Sequence, residues 1–210
     1  MKKEMLALAM ATAVMGSVKA QDIKLPQVDM KAVSKSMMET LATRHSVREY
    51  SNEELSLQAI SNLCWAACGV SRDAEHRTSP TAMNRKEIRL FAFTAKGAYE
   101  YDAAKNVLRL VAKGDNRKLV AGFQDFAATA PLSLVMVIDF DLFGNNDENA
   151  MRMCCVDAGN VSENINLYCQ SVGLATVPRA SMDGKGISKL LKLGDKQMPI
   201  LNNPVGYPKK

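Results

Sequence analysis

Arg44-His45-Ser46-Val47-Arg48-Glu49-Tyr50 sets two arginines either side of a serine, where helical composition gives way to a loop. In extended backbone every second side chain shares a face, so Arg44, Ser46 and Arg48 point one way and His45 the other. Two guanidiniums and a hydroxyl on one face make a receptor for phosphate or carboxylate. Each charge-assisted hydrogen bond there contributes about 1.5–3 kcal/mol where water is excluded. A basic run by itself is more often a solvated surface, and a lone His45 more often structural than a ligand. The stretch therefore has to be weighed with what flanks it.

Upstream, Gln21 to Asp29 reads as an extended lead-in broken by Pro26, and Met30 to Ala42 reads as a helix. Downstream, Ser51 followed by Glu54 has capping-box spacing. Leu57, Ile60, Leu63, Cys64 and Ala67 then recur at helical spacing, with Gly69 as the C′ residue. Ser71 to Arg85 is polar and contains Pro80, so it is a loop. Within it, Asn84 offers both an amide donor and an acceptor to a planar heterocycle. The alternative is that Asn84 bonds its own backbone in a turn.

Strand signals follow. Ile88 to Phe93 alternates, and Ala98 to Asp102 with Asn106 to Ala112 forms a hairpin. Leu132 to Ile138, opened by Pro131, is apolar enough for a strand buried on both faces. After the turn at Gly144-Asn145-Asn146-Asp147 comes the longest helix, whose apolar positions step by three or four from Met151 to Val172, with Gly173 as its stop. Gly159 inside it costs about 1 kcal/mol relative to alanine, which predicts close approach by another backbone. Leu174 to Val177 is a short strand, and Ala180 and Ser181 beyond it are placed to offer backbone N–H groups. A short helix around Ile187 to Leu193 and an extended segment, Met198 to Val205, complete one α+β domain.

The 210 residues are 47% hydrophobic and 23% charged, which excludes a disordered chain. The formal charge of +5 is too mild and too evenly spread for a nucleic-acid partner. Residues 1–20 have the form of a secretory leader: basic Lys2 and Lys3, apolar Met5 to Gly16, and Val18-Lys19-Ala20 before the cleavage point. Its removal leaves a chain of 190 residues with charge +3, exported to the periplasm or beyond the cell. No other apolar run is long enough to span a bilayer, so no stable membrane insertion is expected after cleavage. Five cysteines is an odd number. The spacings of Cys64 with Cys68 and of Cys154 with Cys155 suit no relaxed disulfide, so all five read as small buried side chains. With histidine only at 45 and 76, no metal site is expected.

Taken together, these features resemble the FMN-dependent nitroreductase superfamily, most closely its small single-domain branch related to the thiazoline- and oxazoline-oxidising dehydrogenases. The resemblance is carried by residues 44–50, Leu63 to Val70, Arg77 to Asn84, Gly173 to Thr176 and Val205 to Pro208. It divides the chain into a leader (1–20), a lead-in with the start of the first helix (21–37) and an FMN-binding domain (38–210). It implies a nitroreductase-like fold, a central antiparallel sheet surrounded by helices, in an intertwined homodimer with two FMN sites at its interface. Arg44 and Ser46 would hold the FMN phosphate, with His45 in the same loop counted among the cofactor-binding residues. Arg48 would lie near the pyrimidine edge, and Asn84 would bond the ring or ribityl chain. A backbone N–H of Ala180 or Ser181 would approach N5. Relatives often continue with basic residues that bind phosphate, and Lys209 is the substitute here. Arg179-Ala180-Ser181 replaces a more glycine-rich stretch. The implied activity is ping-pong transfer of electrons or hydride between a reduced donor and a small nitro-aromatic, quinone or azoline-type substrate. The competing reading is a flavin carrier or interaction protein of the same fold without turnover. Free nicotinamide nucleotides are scarce outside the cytoplasm, so the donor is left open.

Overall fold

The computed structural model describes residues 21–209; the expected leader lies outside the described residues. Two short elements lead in, β1 (Ile23–Lys24) and α1 (Met37–Thr43). The expected helix over Met30 to Ala42 is real only from Met37, because the Ser36 side chain accepts from the Glu39 N–H and caps it there. Before that cap Met30 and Val33 are exposed, and the Ala32 N–H closes a single turn onto the Asp29 carbonyl.

α2 (Leu57–Cys68) carries the expected apolar stripe, but not the expected cap. Ser56, not Ser51, accepts from the Ala59 N–H at 3.1 Å, while Glu54 faces Lys96. Gly69 ends the helix with φ −68°, so no left-handed turn requires glycine. Space does: a Cβ there would sit 2.3 Å from Trp65 Cδ1.

β2 (Ile88–Thr94), β3 (Gly97–Asp102) and β4 (Val107–Lys113) form a meander, followed by short α3 (Arg117–Ala121). β5 (Leu132–Asp139), single-turn α4 (Phe140–Phe143), α5 (Glu148–Val172), β6 (Ala175–Thr176), α6 (Gly184–Leu191) and β7 (Gln197–Gly206) complete the chain. The seven strands make one sheet, antiparallel throughout, in the order β1-β4-β3-β2-β5-β7-β6. This is the central antiparallel sheet expected from the sequence.

All eight residues of β5 are buried, and their alternation divides the interior in two. Leu132, Leu134, Met136 and Ile138 face one core with Leu90 and Ala92 of β2, Leu63 and Cys64 of α2, and Ala158 and Ile165 of α5. Val135 and Val137 face the other with Phe91, Phe93, and Ile187 and Leu191 of α6. The period of two along β2 and β5 thus assigns helices to both faces of the sheet.

α5 begins at Glu148 because Asp147 accepts from the Ala150 N–H at 2.7 Å, and it ends at Gly173, φ +76°. Gly159 does not behave as expected within the chain. A Cβ at 159 would meet nothing within 4 Å, so no backbone of the same chain approaches it. All five cysteines are free; Cys64, Cys68, Cys154 and Cys169 are buried and Cys155 is partly so. Burial pushes the Cys68 and Cys154 thiols up to about 12. Among the described residues no helix is long and apolar enough to cross a membrane.

Candidate functional site

Arg44 closes α1 with extended backbone, φ −60° and ψ 125°, and the chain then runs without helix or strand to the bridge at Tyr50. The strap is held from both sides. The Val47 N–H donates to the Thr176 carbonyl at 2.9 Å, tying it to β6. Tyr50 bridges Pro208, the Ser51 N–H donates to Tyr207 O at 2.9 Å, and the Lys209 N–H donates to Glu49 O at 3.3 Å. The buried Tyr50 hydroxyl donates to Val47 O at 3.0 Å, locking the turn of the strap from beneath. Burial pushes this phenol up, and the nearby Arg179 and Arg48 charges pull against that. The structure therefore brings together 44–50, β6 and its following loop, and 207–209.

On the strap, Arg44, Ser46 and Arg48 are exposed. Arg44 Nε stands 3.9 Å from Glu163 Oε1 on α5, a loose pair. The Ser46 hydroxyl and the Arg48 guanidinium have no hydrogen-bond or ion-pair partner among the described residues. His45 Nδ1 lies 2.9 Å from the Thr43 carbonyl, which orients the ring by its own backbone. Lys209 is exposed beside Glu49 at the strap's far end.

The corner after β6 is built on Arg179. Its backbone pairs with Asn202 of β7 in both directions, at 2.8 and 2.7 Å. Its side chain, 6% exposed, donates to Gln124 Oε1 at 2.8 Å and to Asn202 Oδ1 at 2.7 Å. It also donates to the carbonyls of Val120 and Ala121 at 3.2 and 2.8 Å and lies over the Phe126 ring. Asn202 Nδ2 also donates to Ser181 O at 3.1 Å, fixing the next peptide. Among the described residues the N–H groups of Ala180 and Ser181 donate to no backbone carbonyl. Asn203, the next residue on β7, faces the opposite way and donates to Asn166 Oδ1 and Thr176 Oγ1 while accepting from Ser162. Sequence reasoning missed this network. Its signal is two adjacent asparagines inside the apolar run Met198 to Val205, which a buried strand tolerates only with partners.

The loop carrying Asn84 lies elsewhere. Met83, Asn84 and Lys86 all adopt left-handed backbone, φ 51°, 54° and 56°. The loop is moored by the Ala82 N–H donating to Asp157 Oδ2 of α5 at 2.6 Å. Asp157 precedes Glu163, which meets Arg44, by six residues, or about 9 Å along the helix. Asn84 is exposed, and no hydrogen bond among the described residues joins it to the strap. Of the sequence-derived set, Arg44, His45, Ser46, Arg48 and Lys209 lie on or against the strap, Ala180 and Ser181 follow the strand that Val47 pairs with, and Asn84 makes no link to it.

Beneath this loop is a second feature the sequence did not disclose. Glu87 is 0% exposed and neither carboxyl oxygen has a hydrogen-bond partner. Burial, with the neighbouring Asp157 carboxylate adding to it, pushes Glu87 up to about 7.

What the strap and corner leave for a ligand is a donor set: two guanidiniums, a hydroxyl, an ammonium and two peptide N–H groups. It fits a phosphate at one end and the hydrogen-bond-accepting edge of a heterocycle at the other. A cavity of about 660 Å³ between Leu55, Ile60, Lys96 and Arg117 is lined by none of these residues.

The model of the family described as the Nitroreductase family matches residues 41–207. A curated "putative nitroreductase" of Methanocaldococcus jannaschii is 27% identical over 198 residues, covering 88% of this chain and 96% of that protein. A crystal structure of the same description from Ralstonia eutropha JMP134 superposes with a TM-score of 0.85 at 31% identity, over 92% of each chain. A chain of the Escherichia coli microcin synthetase McbBCD complex, with truncated pro-MccB17 bound, shares the fold with a TM-score of 0.68 at 17% identity. That match covers 100% of this chain and 85% of the other.

Proposed function

The chain belongs to the nitroreductase family of flavin oxidoreductases, and from that premise we propose that it is an exported, homodimeric, FMN-dependent enzyme. It moves electrons between a reduced donor and a small nitro-aromatic, quinone or azoline-type substrate by a ping-pong route. The observation that carries this reading is the strap, which holds Ser46 and Arg48 without partners beside a weakly paired Arg44. Arg44 and Ser46 suit one terminal phosphate, which favours FMN over a dinucleotide, and leave Arg48 for the ring.

When bound, the flavin supplies hydride acceptance and donation. The chain supplies position and field. Arg44 and Ser46 hold the phosphate, with Lys209 and His45 at the margins of the same strap. Arg48 places a cation at the pyrimidine edge, where it favours the electron-rich form of the ring. The N–H groups of Ala180 and Ser181 direct donors at N5. Asn84, separated from its own strap, serves the cradle of the second copy. Exposed Met37, Met38 and Leu41 of α1, Met153 and Val156 of α5, and the unpacked Gly159 support a dimer through these helices. The leader at 1–20 supports export. A peptide-bound synthetase complex holds a chain of this fold, so peptide azolines belong in the substrate panel.

The test is to purify the chain from Gln21 and record its visible spectrum. Anaerobic reduction by a panel of donors and reoxidation by added acceptors then follow. FMN that is bound but never turned over with any pair would favour the carrier reading. Arg44→Ala with Arg48→Ala is expected to abolish FMN retention; a double variant that stays yellow with unchanged affinity overturns the cradle.

A further inference from the structure

Arg179 lacks what a buried charge ordinarily has. Its four side-chain hydrogen bonds go to an amide oxygen of Gln124, an amide oxygen of Asn202 and two peptide carbonyls, and its stacking partner is a phenyl ring. All are neutral. Among the described residues no carboxylate lies within ion-pair distance of it. A guanidinium does not shed its proton in a protein, so the charge is permanent. Desolvation of this kind is costly and is tolerated here by hydrogen bonds alone.

Its place matters as much as its charge. The residue sits immediately before Ala180 and Ser181, and the same Asn202 that accepts from its guanidinium also holds the Ser181 carbonyl. On the other side, the Phe126 ring under its guanidinium packs in one cluster with Tyr50 and Val47 of the strap. The charge thus stands behind the cradle, between the strap and the corner. Arg48 is exposed and its field is screened by water; Arg179 is sealed and its field is not.

We propose that Arg179 is a positioning residue with a second effect: it fixes the Ala180–Ser181 peptides and supplies a buried, uncompensated positive charge that favours the reduced state of the bound flavin. Uptake of a hydride adds two electrons and one proton, so the charge of the bound group falls by one. A fixed cation nearby stabilises that product over the starting state. The inference rests on the FMN reading of the cradle.

Gln124→Glu tests it with Arg179 left in place. The change is isosteric and puts a carboxylate against Arg179 Nε, neutralising the field while keeping the packing. At a fixed redox poise, set by a reference dye, the ratio of reduced to oxidised bound FMN is expected to fall about tenfold, or about 30 mV for a two-electron couple. Arg179→Gln is expected to fall likewise, while Gln124→Leu, which removes the Nε acceptor but leaves the guanidinium charge, stays within about twofold of the parent. FMN affinity by fluorescence titration and thermal midpoint are measured alongside. Normal FMN binding with an unmoved ratio in Gln124→Glu overturns the role of Arg179 alone. Equal shifts in Gln124→Leu and Gln124→Glu also overturn it, because loss of the hydrogen bond rather than of the charge would then be at work. Failure of the parent protein to bind FMN overturns the cradle, and this role with it.

Discussion

Arg179 and Glu87 are both sealed from solvent, yet the first makes four side-chain hydrogen bonds and the second makes none. The difference follows from what each can do about its charge. Arginine cannot neutralise itself, so the fold had to provide acceptors from α3, from the loop after it and from β7. A carboxyl group can take a proton, so its surroundings need only tolerate a neutral acid. The groups facing Glu87 from α5 are Asp157 and Cys154, neither of them a cation. One site is built around a fixed charge; the other avoids holding one.

Breaking the first site should cost most. Arg179→Met strands the acceptors of Gln124, Asn202, Val120 and Ala121, at about 1–3 kcal/mol each, but relieves the desolvation of the guanidinium, for a net loss of about 3–5 kcal/mol of unfolding free energy. Urea denaturation measures this, and a loss under about 1 kcal/mol would make the two sites equivalent after all.

The second site should respond to pH in the opposite sense to an ordinary salt-bridged carboxylate. Folded Glu87 is raised to about 7, above its ordinary value. Between those values the native state holds a proton that the unfolded chain does not. Stability from this group is therefore full below the ordinary carboxyl range and is lost as pH rises to about 7, then levels. Glu87→Gln, which mimics the protonated form, should remove that slope. It should raise stability above neutrality by on the order of 3 kcal/mol. Denaturation curves at pH 5 and pH 8 decide it; a slope that survives the substitution would locate the proton elsewhere.

A smaller effect belongs to the loop over Glu87. Met83 is exposed and left-handed, so Met83→Gly should stabilise by about 1 kcal/mol. Thermal melting is sufficient to detect it, and destabilisation would show that the Met83 side chain contributes something. Smallest of all, Lys118→Ala should shift stability by less than about 0.5 kcal/mol. Its partner is Asp125, and both side chains are largely exposed. A larger shift would mean that water does not screen charge here as the contrast assumes.

The parts of the fold legible in the sequence are those where one element decides its own burial. Leu132 to Ile138 and the Met151 to Val172 stripe announce themselves by continuity and by period. Boundaries fixed by one hydroxyl, Ser36 or Ser56, were harder, because a competing serine at 51 had equally good spacing. Gly159 predicts close approach by another backbone, and none within this chain comes within 4 Å of where its Cβ would be, so a single chain does not supply that contact. The strap residues were legible as a local pattern. What gathers them is not: Thr176, Tyr207 and Pro208 lie far away in sequence, and only tertiary pairing brings them to residues 44–51. Arg179 was noticed as a departure from a glycine-rich stretch, but its buried charge depends on Gln124 and Asn202, which no local window joins.

The sheet ends on both sides in strands of two residues, β1 and β6. Beyond those short pairings, the Asp22 carboxylate takes the Leu110 N–H of β4, and Arg179 bridges Asn202 of β7. Each rim is interrupted before it offers a long row of free peptide groups. Short, capped rims resist open-ended strand addition, the route by which sheets grow into fibrils. Once folded, the chain can meet another copy face to face through its helices, but has little means of extending edge to edge.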